Sequence, residues 1–248
     1  MGKKLRRIFS VLLSVVIVLS NLGVVGASEG ATPLIEKSDL AIASGTVYDL
    51  SAEPGAGDLY SLRDATIYVE YQSTSSEEYQ SLFSVSNPGT AKDDMYRHFH
   101  LYVTPTGTLG MELRNTDSEF KYTMSAAGAV MHGAQNRIAF KADSQSKTYK
   151  LFANGQMVGE LTKDDYRFFA DILGLSNASI GGTIRNGEVD YPFAGTVSNV
   201  QVYSSALSDA ELIEKTYVDT SGNVLSARAQ LTLTKGEAEL SGVCIGEG

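Results

Sequence analysis

The chain has 248 residues, with 20 Lys and Arg against 29 Asp and Glu, one cysteine and no tryptophan. A net charge of −9 argues against a broad nucleic-acid-binding surface, and a single cysteine, Cys244, excludes an internal disulfide. Stability must therefore come from a hydrophobic core, and 43% apolar residues are enough to build one in a single large domain.

Residues 1–27 read as a secretory signal peptide: Lys3, Lys4, Arg6 and Arg7, an apolar run from Ile8 to Leu19, then small residues at Val25-Gly26-Ala27. The apolar run falls short of the ~20 residues a membrane span needs, so no membrane insertion is expected. Removing those four cations leaves 16 positive against 29 negative side chains, a net of −13. An acidic ligand would have to be caught by a local group of arginines, which is feasible because salt screens distant charge beyond about 8–10 Å.

Residues 28–40 read as a short leader, with the folded part beginning near Leu34. Gly45–Leu50, Ala65–Gln72 and Tyr79–Val85 follow as strands, and Asn87-Pro88-Gly89 is a turn by composition. Alternation in His98–Val103 sends Phe99, Leu101 and Val103 one way and His98, His100 and Tyr102 the other. In Thr108–Arg114 it sends Met111 and Leu113 to a buried face and Glu112 and Arg114 together to an exposed one. An acid and a base so placed form a candidate anion-recognition pair, although by residue type alone such a pair is more often a solvated contact worth under ~1 kcal/mol. His98 and His100 share a face as two metal ligands would, but no third ligand is near in sequence. A structural or rim role is read for them, and no metal or cofactor is expected.

Glu119–Met124 and Arg137–Ala142 continue the strand pattern, and Thr148–Ala153 and Gln156–Leu161 flank Asn154-Gly155, a strong hairpin signal. Tyr166, Phe168, Phe169 and Ile172 stand at near-helical spacing and predict a short helix or helical turn within Asp164–Leu173. Ser179–Arg185 reads as extended with a break at Gly181-Gly182, and Thr196–Tyr203 as a strand whose Val197 is out of phase with Val200 and Val202, which predicts a bulge. Ser208 and Glu211 form a capping box for a brief helix carrying Leu212, Ile213 and Tyr217. Beyond Asp219 a polar linker leads to two apolar-alternating stretches, Ala229–Leu233 and Ala238–Val243, read either as a loosely docked tail or as the start of a following domain. Many short strands, with helices confined to connections, predict an all-β antiparallel sandwich over residues 34–218.

The run Gly195–Lys215, GTVSNVQVYSSALSDAELIEK, resembles the closing strand and helix of laminin-G-like, concanavalin-type sandwiches. More specifically, residues 46–216 resemble the sialic-acid-binding lectin module of secreted bacterial sialidases, family 40 of the carbohydrate-binding modules. The stretches that carry the resemblance are YQSLFSVSN (79–87), RHFHLYVT (97–104), GMELRNTDSEFKYT (110–123), KLFANGQ (150–156) and GGTIRNGEVDYPFAGT (181–196). The resemblance implies a shallow lectin site with Arg114 and Glu112 from the ELR stretch, Arg185 after the double glycine, Tyr191 of the YPF turn and Tyr102 of the HLYV strand. Tyr79 falls where family members carry an aliphatic contact to the N-acetyl methyl. The partners implied are sialylated glycans, bound by a monomeric module that is secreted or displayed on a bacterial surface.

Two other functions compete. A glycoside hydrolase would need paired carboxylates, and no strand carries Glu-x-Asp-x-x-Glu; a sialidase propeller would need an Arg-Ile-Pro motif and tryptophan-containing aspartate boxes, which a chain without tryptophan cannot supply. The chain is therefore expected to bind without cleaving, as part of a parent sialidase. A laminin-G-like adhesion domain without sugar specificity is the other rival, and it predicts that Arg185 lies apart from Glu112 and Arg114 or that Tyr191 is buried.

Overall fold

A computed structural model of the chain describes residues 31–74, 78–116 and 119–218. The signal-peptide reading, Cys244 and the two apolar stretches near the C-terminus lie outside the described residues.

Fourteen strands are described. They are β1 (Ile35–Ile42), β2 (Tyr48–Asp49), β3 (Ala65–Ser73), β4 (Gln80–Ser86), β5 (His98–Val103), β6 (Leu109–Thr116), β7 (Phe120–Ala126), β8 (Asn136–Asp143), β9 (Thr148–Ala153), β10 (Gln156–Thr162), β11 (Asn177–Ile180), β12 (Thr183–Arg185), β13 (Glu188–Asp190) and β14 (Gly195–Tyr203). One six-stranded sheet runs β1-β14-β3-β8-β9-β10, a second runs β2-β11-β4-β5-β6-β7, and β12 with β13 makes a separate two-stranded ribbon. All the pairings are antiparallel, as the predicted all-β sandwich requires.

The core lies between the two large sheets. Ile67, Val69 and Tyr71 of β3, Ile138 and Phe140 of β8 and Leu151 of β9 join Phe83, Val85, Phe99, Leu101, Met111 and Leu113 of the facing sheet in one buried cluster. Phe99 meets Phe140 at 4.8 Å between ring centroids, joining β5 to β8. The outer face of the first sheet is closed by a helix, Asp209–Thr216, whose Leu212 buries against Ala139 and Phe152. Its N-terminus carries the predicted capping box between Ser208 and Glu211.

Most elements fall where the residue pattern puts them. Asn154 and Gly155 both take positive φ, 50° and 86°, at the β9–β10 hairpin, the conformation a two-residue I′ turn demands. The register of β14 against β3 shifts between Val197 and Asn199, which is the predicted bulge. Two readings need correction. The leader read over residues 28–40 gives way at Ile35 to β1, paired with β14; the strand sits at the sheet edge with Glu36, Ser38 and Asp39 among its solvent-facing positions, so half of its eight residues are polar or charged. Gly45–Leu50 contributes only the two-residue β2. The helical turn read within Asp164–Leu173 is the single 3-10 turn Phe169–Asp171, where Phe168 and Phe169 are both buried in the core and stack at 4.0 Å.

Candidate functional site

The site forms on the outer face of the second sheet. Alternation that buries Phe99, Leu101, Met111 and Leu113 turns the intervening residues of β5 and β6 the other way. The antiparallel register then sets His98 opposite Arg114, His100 opposite Glu112 and Tyr102 opposite Gly110. These three rungs make the floor.

Gly110 explains where the Tyr102 ring goes. A Cβ at position 110 would stand 2.4 Å from Tyr102 Cζ, so the ring lies across the bare backbone of the facing strand. Tyr79, just before β4, stacks on that ring at 5.5 Å with the planes 10° apart.

The ribbon β12–β13 and the chain after it supply the remaining residues. Thr183 Oγ1 at the start of β12 is 3.1 Å from Ser81 Oγ of β4, and Ser81 N donates to the Tyr191 carbonyl at 2.8 Å. Tyr191 holds a positive φ of 55°, a left-handed conformation uncommon for an aromatic residue. Its ring stands 6.3 Å from Tyr79 and 5.0 Å from His100. Arg185 Nη1 donates to Tyr191 Oη at 3.3 Å and lies 3.1 Å from Asp190 Oδ2. The three tyrosines thus form a contiguous wall, and both Arg114 and Arg185 act electrostatically on His98, which lies at the floor. The separation that a non-specific adhesion domain predicts is not found, and Tyr191 is only half-buried.

Two expectations about exposure are corrected. Arg114 is 9% exposed, not solvent-facing, because the 3-10 turn Asp94–Tyr96 packs beside β6 and places the Tyr96 ring 4.1 Å from its guanidinium carbon. His98 and His100 are floor residues, 0% and 4% exposed, not rim residues. Ligand atoms of His98, His100 and Glu112 lie within 4.8 Å of one another. Glu112, however, already accepts from His98 and Lys121 beside Arg114, and the two cations, Lys121 and Arg114, oppose a further one.

A family model described as sialidase, N-terminal domain, matches residues 30–219. The chain belongs to this family. The sialidase N-terminal domain is 45% identical over 194 residues to the anhydrosialidase of Macrobdella decora, covering 76% of this chain and 25% of that protein. It is 25% identical over 160 residues to sialidase B of Streptococcus pneumoniae, covering 62% of this chain and 23% of that one. The chain therefore spans about a quarter of the length of these curated relatives. Among solved structures it matches the Ruminococcus gnavus IT-sialidase CBM40 bound to α2,3 sialyllactose, at 46% identity and a TM-score of 0.73, covering 75% of this chain and 100% of that one. The same module bound to α2,6 sialyllactose matches at a TM-score of 0.72, with the same identity and coverage.

The charges of this sialidase N-terminal domain are arranged to keep Glu112 ionised. Burial works to raise its carboxyl, but hydrogen bonds from His98 and Lys121 outweigh burial and hold it at about 2. Burial pushes His98 and His100 the other way, below the ordinary imidazole value. The floor therefore offers a fixed carboxylate acceptor with the Arg114 guanidinium beside it, while Arg185 reaches the tyrosine wall from the ribbon through Tyr191. Arg114 stands 3.7 Å from Glu112, farther than either His98 or Lys121 at 3.1 Å, so the acid is held chiefly by its neighbours on β5 and β7. Beyond the tyrosine wall opens a groove of about 640 Å³ lined by Glu78, Tyr79, Val189, Asp190, Tyr191 and Pro192.

Sequence reasoning missed Tyr96, Lys121, Asp190 and Gly110. Tyr96 and Asp190 belong to a loop and a ribbon whose course no periodicity reports. Lys121 was accessible in principle, since it follows from pairing β7 with β6. Gly110 carried a readable signal, a glycine inside a strand, which marks a close approach of another group.

Proposed function

We propose that this chain is a carbohydrate-binding module that recognises terminal sialic acid on host glycans, as the non-catalytic targeting part of an exported bacterial sialidase. The observation that carries the reading is the convergence of Arg114, Arg185 and Glu112 with Tyr79, Tyr102 and Tyr191 on one face, in a chain 46% identical to a module solved with sialyllactose. Sialic acid offers a carboxylate, an N-acetyl group and a polyhydroxyl tail on one ring. Two guanidinium forks suit the carboxylate, where lysines would give only point charges. Glu112, ionised, accepts from a hydroxyl or the amide N–H, and the tyrosines wall the methyl and the ring.

Glu112 is built to hold a ligand and not to protonate a leaving group, since a carboxyl at about 2 keeps no proton at neutral pH. A small, shallow site of this kind binds with roughly micromolar to millimolar affinity, about −4 to −8 kcal/mol, and retention on a cell surface then rests on several modules or several sialylated chains. Titration with α2,3- and α2,6-sialyllactose gives saturable binding under this reading, and lactose gives none. Incubation with a fluorogenic sialoside gives no release above background. Binding of lactose equal to sialyllactose favours a sugar site of another class, and turnover overthrows the non-catalytic assignment.

A further inference from the structure

His98 is fully buried on β5, between the core strands and the ribbon, where an apolar side chain would be the ordinary occupant. Its Nε2 lies 3.1 Å from Glu112 Oε1 on the neighbouring strand, reached diagonally, since the residue directly opposite Glu112 is His100. An ionised carboxylate only accepts, so Nε2 carries the proton and Nδ1 is left as the acceptor. That Nδ1 is buried and finds no hydrogen-bond partner among the described residues. An imidazole that leaves one buried ring nitrogen unmatched is explained by what the other nitrogen does.

Glu112 is gripped from two sides. His98 holds Oε1, and Lys121 Nζ from β7 lies 3.1 Å from Oε2. Arg114 of β6 stands at 3.7 Å from Oε1, and His100 of β5 completes the charged and titratable surroundings of the carboxylate. His98 itself faces Glu112, Arg114 and His100, and Arg185 from the ribbon. Lys121 is 45% exposed and its grip is loosened by solvent, whereas the His98 side chain is 1% exposed. The rigid half of the grip is the histidine.

We propose that His98 is a positioning residue: its Nε2–H fixes the Glu112 carboxylate from beneath, so that the free lone pairs of that carboxylate are presented to a sialic acid held by Arg114 and Arg185. The proposal rests on the sialic-acid reading above. It separates His98 from His100, whose Nδ1 stands 3.5 Å from Thr183 Oγ1 and whose ring packs between His98, Tyr102 and Tyr191.

The test uses the full chain and titrates α2,3-sialyllactose calorimetrically at about pH 7 and about pH 5. Wild type binds equally at both. His98→Gln, whose amide nitrogen can donate from nearly the same place, stays within about threefold of wild type, and His98→Leu loses about tenfold at the higher pH. At the lower pH His98→Leu loses more, because Glu112 without its buried donor takes up a proton in that range. A pH dependence confined to the leucine variant is what a purely structural role does not produce. A folded His98→Leu that binds like wild type at both pH values overturns the proposal, as does equal, pH-independent weakening of both variants. Where His98→Leu does not fold, imidazole nitrogen shifts of wild type decide: the Nε2–H tautomer supports the proposal and the Nδ1–H tautomer overturns it. Absence of saturable binding by wild type defeats the sialic-acid reading itself, a result distinguishable from all of these.

Discussion

Tyr79 lies flat on Tyr102, with ring centroids 5.5 Å apart and planes inclined by 10°, although Tyr79 precedes β4, Tyr102 lies on β5 and Tyr79 is 47% exposed. The stack leaves one tyrosine face open beside Tyr191. Removing Tyr79 takes away an exposed wall and little core, so Tyr79→Ala is expected to weaken sialyllactose binding by about three- to tenfold, in line with ~0.5–1.5 kcal/mol for an aromatic contact. Its melting temperature should match wild type. Calorimetric titration beside a thermal melt checks both.

Gly110 is the other half of that stack. A methyl group there collides with the Tyr102 ring, and the ring, being a side chain at the surface of the sheet, moves more cheaply than the backbone does. Gly110→Ala is therefore expected to weaken binding at least as much as Tyr79→Ala while shifting the melting temperature by only a few degrees. Unaltered affinity in Gly110→Ala would show that the ring position is immaterial to the ligand.

Tyr96 backs the guanidinium of Arg114 at 4.1 Å. A partly desolvated cation–π contact is worth about 0.5–2 kcal/mol, and losing it frees Arg114 to sample other rotamers. Tyr96→Ala should lower affinity by about three- to thirtyfold, and Tyr96→Phe, which keeps the ring, should bind like wild type. Titration of the two variants side by side separates the ring from the hydroxyl.

The buried histidines make stability depend on pH. Burial lowers the His98 and His100 imidazoles below their ordinary value, so below about pH 6.5 the unfolded chain binds protons the folded chain refuses, and stability falls. The slope is up to ~1.4 kcal/mol per pH unit for each histidine. Glu112 acts in a lower window: held at about 2, it contributes fully above the ordinary carboxylate value, and that contribution goes only as pH falls toward 2. The melting temperature should therefore drop between about pH 7 and pH 5, before Glu112 is protonated, and His98→Gln should lessen the drop. A melting temperature constant across that range contradicts the burial argument.

The fold was legible because its strands alternate apolar and polar residues, as β5 and β6 do, and because Asn154-Gly155 and the Ser208 capping box announce their own geometry. What pattern reading lost were elements without an apolar rhythm, such as edge strand β1 with its charged residues. At the site, Glu112 and Arg114 were visible as a pair on one strand face. That the face is roofed was not visible, since the roof is a ribbon and a 3-10 turn packed from elsewhere in the chain. Arg185 and Tyr191 were reached only through the family resemblance, because no periodicity links a glycine-flanked turn to a strand some seventy residues earlier.

The central claim is that Arg185 and Arg114 together clamp a carboxylate. Arg114 is packed on Tyr96 and beside Glu112, so its removal also disturbs the floor, whereas Arg185 stands on the ribbon with Asp190 and Tyr191. The most direct measurement is calorimetric titration of wild type, Arg185→Lys and Arg185→Ala with α2,3-sialyllactose. Saturable binding by wild type, at least tenfold weaker binding by the lysine variant (~1.4 kcal/mol) and none detectable for the alanine variant are expected, with all three folded. A folded Arg185→Ala that binds sialyllactose as wild type does would contradict the account.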